Sequence, residues 1–262
     1  CNQGVKFTDL LGMARDLGCE AMATGHYVRR VEGPSGADMH RPVDAERDQT
    51  WFLFATTKDQ LDYLRFPLGE MPDKAHVREL AQELGLEIAA KPDSQDICFV
   101  PSGSYVDIVE QLRPAIRGEG EIVDEQGNVL GHHEGVARYT VGQSKRLGDI
   151  HTAVGERQMV TRIDVPKRRI VVGPRVQATE VETRKTIRLR DMNWLMDAPP
   201  EGVSCGVQIR AREKLREAVV KPLANGEALV ELTEPAMPAP GQACVLYDGS
   251  RVLGGGFILA GA

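Results

Sequence analysis

Two short runs hold the side chains best suited to chemistry. Cys98 stands in Asp93-Ser94-Gln95-Asp96-Ile97-Cys98-Phe99, where a hydroxyl, an amide and two carboxylates crowd one thiol. A thiolate is a competent nucleophile and, as a persulfide, a sulfur carrier. A buried free cysteine between Ile97 and Phe99 would equally serve as core filling, and the run alone leaves both readings open. Cys1 begins Cys1-Asn2-Gln3-Gly4-Val5-Lys6-Phe7, the lead-in to a helix. A thiol near a helix N-terminus with a lysine close by has its thiolate favoured; a chain-end residue with no role is the competing reading. Gly25-His26 follows an apolar run and reads first as a loop with a hydrogen-bonding histidine. Cys19, Cys205 and Cys244 sit in apolar or strand-like surroundings and read as structural. His132-His133 has no third ligand at a suitable spacing, so a turn is expected there and no metal site.

The elements that must position these groups change character along the chain. Apolar residues Val5, Leu10, Leu11, Met13, Ala14 and Leu17 follow helical spacing up to Gly18. The run Ala21–Thr24 then predicts a short buried strand with Gly25 at its carboxyl end, where open α/β sheets hold ligands. Residues 32–47 read as a loop or hairpin, and 49–55 as strand or helix. Thr57–Leu64 reads as a helix, and Pro72–Leu84 as another, closed by Gly85; Leu86–Ala89 reads as a strand. From about residue 118, short β-type stretches separated by Gly, Asn and Pro predict small barrels or sandwiches. The plan is an α/β portion over 1–95, a mixed central module over 96–178 and a β-barrel over 179–262.

The bulk numbers allow several compact units in 262 residues, with 42% hydrophobic and 27% charged residues. No apolar run is long enough to cross a bilayer, and no membrane partner is expected. Five widely spaced cysteines without a CxxC disfavour a disulfide framework and a structural zinc site, and fit a reducing cytoplasm. Net charge is −6, so any nucleic-acid surface must be a local patch. Arg184, Lys185, Arg188, Arg190, Arg210, Arg212, Lys214 and Arg216 form such a cluster, although glutamates interleave with them. By themselves these residues fit a solvated charged face.

Taken in order, the words are more specific. Cys1-Asn2 with Val5-Lys6-Phe7, Ala23-Thr24-Gly25-His26-Tyr27, Asp48-Gln49 and Asp93-Ser94-Gln95-Asp96-Ile97-Cys98-Phe99 succeed one another. Gly131-His132-His133-Glu134-Gly135, Tyr139-Thr140-Val141-Gly142-Gln143, Pro240-Gly241-Gln242 and Leu253-Gly254-Gly255-Gly256 carry the pattern to the end. The whole chain resembles the tRNA-specific 2-thiouridylase family, which thiolates the wobble uridine.

The resemblance implies a partial Rossmann-like adenine nucleotide alpha hydrolase (PP-loop) domain, then the mixed module, then a tRNA-contacting barrel. It implies ATP, with magnesium, adenylating the uridine 2-oxygen, and tRNA engaged through its anticodon arm. Cys1 would be the nucleophile and Cys98 the persulfide carrier, pairing transiently as a Cys1–Cys98 disulfide. The persulfide donor would be a sulfur relay protein or a cysteine desulfurase. Cysteines so far apart must meet across a cleft, and 93–96 is the candidate moving stretch. Gly25 would contact ATP and His26 tRNA. Arg47-Asp48-Gln49 stands where relatives have Lys-Asp-Gln, and keeps the positive charge. Arg210-Ala211 stands where relatives have Arg-Tyr, so the aromatic contact is missing; Gln242 would be a further tRNA contact. The family's Ser-Gly-Gly-Val-Asp-Ser phosphate loop does not occur in this sequence. The chain is therefore read as N-terminally truncated and inactive alone, with a non-catalytic tRNA-binding module as the alternative.

Overall fold

The computed structural model describes residues 2–90, 105–147, 150, 158–174 and 183–260. Two compact units emerge: Cys1–Asp93 with Lys185–Glu234 and Pro240–Ala262, and Ser94–Arg184 with Pro235–Ala239.

The first unit begins as a π-helix, Asn2–Leu10, continued by α1 (Leu11–Asp16). Its wide winding is bridged by the Thr8 hydroxyl, which donates to the Gln3 carbonyl at 2.6 Å. Phe7 and Leu11 are buried, whereas Val5, Leu10, Met13 and Leu17 stay exposed. The helical spacing was legible, but the buried stripe is narrower than it suggested. Strand β1 (Met22–Ala23) follows, then a hairpin of β2 (Arg29–Gly33) and β3 (Gly36–His40). The ambiguous stretch 49–55 forms a short helix, α2 (Thr50–Leu53). Helix α3 (Lys58–Tyr63) starts at a capping box: the Thr57 hydroxyl accepts from Gln60 N, and Gln60 Oε1 accepts from Thr57 N. It leads into β4 (Leu64–Arg65), which runs parallel to β1 with Met22 opposite Leu64. Helix α4 (Lys74–Glu83) is capped by Asp73, and its chain reverses at Gly85, φ +68°. Leu86–Ala89 is not the strand expected. Glu87–Ala90 forms a 3-10 turn, with Ala89 N bonding locally to the Leu86 carbonyl instead of to a neighbouring strand.

The second unit holds α5 (Tyr105–Leu112) and strands β5 (Arg117–Val123), β6 (Val129–Gly135), β7 (Gln158–Asp164) and β8 (Arg169–Pro174). The sheet order is β6-β5-β8-β7, with β5 and β8 parallel. Its core is Ile122, Val136, Leu147, Val160, Ile170 and Val172. His132-His133 does not form the expected turn; both residues lie in β6. Strand alternation explains the pair: His132 faces out, and His133, 4% exposed, turns in against Tyr139 with Nε2 3.1 Å from the Arg168 carbonyl.

The remaining strands are β9 (Arg184–Trp194), β10 (Val203–Gln208), β11 (Arg216–Pro222), β12 (Ala228–Ala236), β13 (Ala243–Asp248) and β14 (Arg251–Ile258). They close as a six-stranded barrel, β13-β10-β11-β12-β9-β14 and back to β13. Alternate residues Ala228, Val230 and Leu232 of β12 are buried, as a half-wet strand requires. The β2–β3 hairpin joins the same sheet where His40 pairs with Arg251. One apolar cluster accordingly mixes Phe7, Leu53, Phe54 and Leu61 with Leu195, Val245, Tyr247 and Val252. Gly255 makes this approach feasible: a Cβ there would lie 2.6 Å from Phe54 Cδ2 and 2.8 Å from the Cys244 carbonyl oxygen.

Candidate functional site

The polar residues singled out near the N-terminus converge on Tyr27. Gln49 accepts from Tyr27 N through Oε1 at 2.8 Å and donates its own N–H to the Tyr27 carbonyl at 3.2 Å. The Arg47 guanidinium lies 6.0 Å from the Tyr27 ring centre, with Nε 3.8 Å from the Asp44 carboxylate. Asp48 lies two residues before Thr50, the first residue of α2, and accepts from Thr50 N at 2.9 Å and from the Thr50 hydroxyl at 2.6 Å. Its other oxygen is 3.5 Å from Arg41 Nε.

That network reaches into the barrel. The buried Thr50 hydroxyl is 3.0 Å from Tyr247 OH, and Arg41 stacks 4.1 Å over the Tyr247 ring while donating to Gln208 Oε1. Burial pushes the Tyr247 phenol up to about 12, so it stays a neutral donor. Arg47-Asp48-Gln49 is thus a tightly paired corner.

His26 is half-buried. Its Nδ1 lies 2.8 Å from the Thr24 hydroxyl, and its ring meets Phe7 edge-on at 5.9 Å. Burial first, and then the charge of Lys6, lower its pKa to about 4. At neutral pH it is an uncharged imidazole, able to hydrogen-bond but not to neutralise a phosphate. Gly25 lies at the carboxyl end of β1, where an added Cβ would meet only Leu68 Cδ1, at 3.8 Å. The backbone there is exposed and otherwise uncrowded.

Arg210 and the exposed Ala211 sit in the turn after β10, away from strand pairing. Gln242 precedes β13, its carbonyl accepting from Ile258 N at 2.8 Å. Much of the basic cluster is matched by acids: Arg188 with Glu227, Arg190 with Asp191, and Arg216 with Glu213 at 2.6 Å.

Cys1, Cys98, their disulfide and the 93–96 stretch lie outside the described residues. Of the other thiols, Cys244 is buried and Cys205 half-buried; burial pushes Cys205 up to about 12 and Cys244 higher still. Both are inert, as a structural reading requires. Cys19 departs from that reading, because it sits exposed in the turn after α1. Among the described residues no His, Cys, Asp and Glu cluster could hold a metal ion.

Comparison with known sequences decides the family. A tRNA-specific 2-thiouridylase MnmA of Gluconobacter oxydans (strain 621H) is 89% identical over 261 residues, spanning 100% of this chain and 72% of that protein. The chain belongs to the tRNA-specific 2-thiouridylase family. Further members from Acidiphilium cryptum (strain JF-5) and Ruegeria pomeroyi are 58% and 51% identical, covering 99% and 100% of this chain and 71% and 70% of theirs. Three family models match in succession: a tRNA methyl transferase HUP domain over 1–102, a tRNA methyl transferase PRC-barrel domain over 107–174, and an aminomethyltransferase beta-barrel domain over 184–258. These 2-thiouridylases are sulfurtransferases, so the chain belongs to a family of enzymes.

Sequence reading missed Tyr27, on which the corner is built, and the side chains of Trp51, Phe52 and Thr56 beside it. Adjacent aromatics in a chain with only 5% aromatic residues were the available signal.

Proposed function

We propose that the complete protein converts the wobble uridine of tRNA into 2-thiouridine. What carries this reading is the family membership along the whole chain, joined to a paired corner that holds Arg47, Asp48 and Gln49 in one fixed arrangement. ATP supplies the adenylyl group that makes the uridine 2-oxygen a leaving group, and the open backbone at Gly25 is where it would be held. The terminal sulfur of a persulfide on Cys98 attacks C2 as AMP departs. The Cys1 thiolate then attacks the Cys98 sulfur, breaking its bond to the transferred sulfur and leaving a Cys1–Cys98 disulfide. A cellular thiol reduces that disulfide, and a sulfur relay protein or cysteine desulfurase reloads Cys98.

The remaining assignments follow the same reading. His26, Arg47, Asp48, Gln49, Arg210, Ala211 and Gln242 contact the anticodon arm. Functional segments run over 1–95, 96–178 and 179–262, close to the spans of the three family models. The reaction takes place in the cytoplasm; no helix among the described residues is long and apolar enough to cross a membrane. We expect these 262 residues alone to yield no product.

The test is to incubate the complete protein with ATP, magnesium, a persulfide donor and unmodified tRNA, and to assay 2-thiouridine in nuclease digests. Cys98→Ser removes the product and leaves tRNA affinity within about twofold. Persistent product in that variant overturns the assignment, and tRNA binding without any product from the native protein favours a non-catalytic binding module.

A further inference from the structure

At the carboxyl end of the parallel pair β1 and β4, charged side chains surround an open space. Ala23 and Arg65 are the last residues of the two strands and stand opposite each other, and Thr24 N donates to the Arg65 carbonyl at 2.9 Å. Beside them lies a cavity of about 310 Å³, lined among others by Arg29, Arg30, Arg65, Phe66 and Glu70. The carboxyl ends of parallel strands are where α/β sheets hold ligands.

The three guanidiniums are held differently. Arg30 is fully engaged: Nε donates to the Leu61 carbonyl at 3.1 Å, Nη2 to the Asp62 carbonyl at 3.3 Å, and Nη1 to Glu32. Arg65 uses Nη1 alone, on the Asp62 and Leu64 carbonyls at 2.8 and 2.9 Å. Its Nε and Nη2 have no partner among the described residues, and no carboxylate there pairs with it. The Arg29 side chain, 27% exposed, has Glu70 near it, with an oxygen 3.9 Å from Nη1. That distance is beyond a hydrogen bond, and Glu70 is itself 68% exposed, so the pair neutralises Arg29 weakly. The field of Arg29 reaches its neighbour: His40, opposite it in the hairpin, has its pKa lowered by burial first and then by Arg29.

The free edge of Arg65 selects the class of ligand. Nε and Nη2 present two parallel N–H groups, a fork that takes two oxygens of one anion. A carboxylate or a phosphodiester has only two such oxygens, and both would be spent on Arg65. A terminal phosphate keeps a third oxygen for Arg29 and brings a second negative charge. We propose that this cavity binds a terminal phosphate group, either inorganic phosphate or the end of a small monoester. Arg65 grips two oxygens and Arg29 a third, while Arg30, fixed by its carbonyls, adds positive charge. None of these residues takes part in the thiolation scheme above.

The experiment uses the complete protein at constant ionic strength in chloride, with inorganic phosphate, methyl phosphate, dimethyl phosphate and acetate as probes. Phosphate raises Tm saturably, by about 3 °C at ten times its Kd, whereas dimethyl phosphate and acetate do no more than chloride. Arg65→Ala weakens phosphate binding about tenfold, and Arg65→Lys, which keeps the charge without the fork, about threefold. Glu70→Gln removes a carboxylate from the lining and tightens phosphate binding about threefold, a gain that a purely structural glutamate would not give. A preference for inorganic over methyl phosphate identifies the free ion as the ligand, and equal or tighter methyl phosphate identifies a monoester; either supports the site. Acetate or dimethyl phosphate binding as tightly as phosphate overturns it. So does the lack of a saturable shift in the native protein, or a shift that Arg65→Ala leaves intact. If Arg65→Ala lowers Tm in chloride alone, Glu70→Gln decides, and phosphate binding that is unchanged or weaker there overturns the site.

Discussion

The two neighbourhoods flanking α2 differ in how their polar atoms are partnered. At the Tyr27 corner, Gln49, Asp48, Thr50, Tyr247 and Arg41 link hand to hand from the hairpin region into the barrel. Beyond it, Trp51 Nε1 and Thr56 Oγ1 are buried with no hydrogen-bond partner among the described residues, and within the corner Arg41 Nε has only the Asp48 carboxylate at 3.5 Å. A satisfied network fixes geometry, because each member holds the next and an unmade bond in a dry interior is expensive. The corner is therefore the more firmly held of the two, although the same short helix borders both.

Substitutions can separate these roles. The largest effect is expected where the two neighbourhoods share a foundation: Gly255→Val drives a branched side chain into Phe54 and the Cys244 carbonyl. Overpacking of this kind costs about 3 kcal/mol, so thermal unfolding should shift down by roughly 6–12 °C. An unchanged Tm would mean that Phe54 does not pack as described. Asp48→Ala removes the acceptor of the Thr50 N–H and hydroxyl and leaves Arg41 without its carboxylate, for a loss of about 2 kcal/mol. It should cost stability before it costs tRNA contact, and denaturant midpoints beside tRNA affinity distinguish the two.

The smallest effect concerns pH. Burial and Lys6 hold His26 near 4, below its ordinary 6.5, so the folded state resists protonation there. Its contribution is complete above 6.5 and is lost as pH falls from 6.5 toward 4, where the unfolded chain binds the extra proton. His26→Gln should flatten the decline in stability across that interval; an identical slope in the variant would show that His26 is not the group responsible.

Much of the fold could be read from local patterns. Thr57–Leu64 read as a helix and holds α3, Gly85 closed α4, and short β-type stretches between turn residues marked the barrel strands. Failures came where partners were distant. Leu86–Ala89 looked like a strand because its residues suit one, yet the backbone bonds locally, Ala89 N to the Leu86 carbonyl, and among the described residues no strand pairs with it. His132-His133 read as a turn because no third ligand stood at a metal-binding spacing, but the pair lies in a strand, with one ring facing solvent and the other Tyr139. The corner was half legible: Arg47, Asp48 and Gln49 stood out, while Tyr27 and Tyr247, which organise them, carry no mark of their role in sequence. Nothing local reveals that His40 pairs with Arg251.

That last pairing sets the order in which the molecule can be made. β14 closes the barrel against β9 and β13 and also receives the hairpin through β3. A growing chain therefore carries Trp51–Phe54 for the time needed to synthesise some two hundred further residues before their partners exist. Over that interval the aromatic segment is exposed and prone to association, and it is a natural client for chaperones. Removing only the last strand would unmoor three others together, so losses at the far end of the chain should be felt first at its beginning.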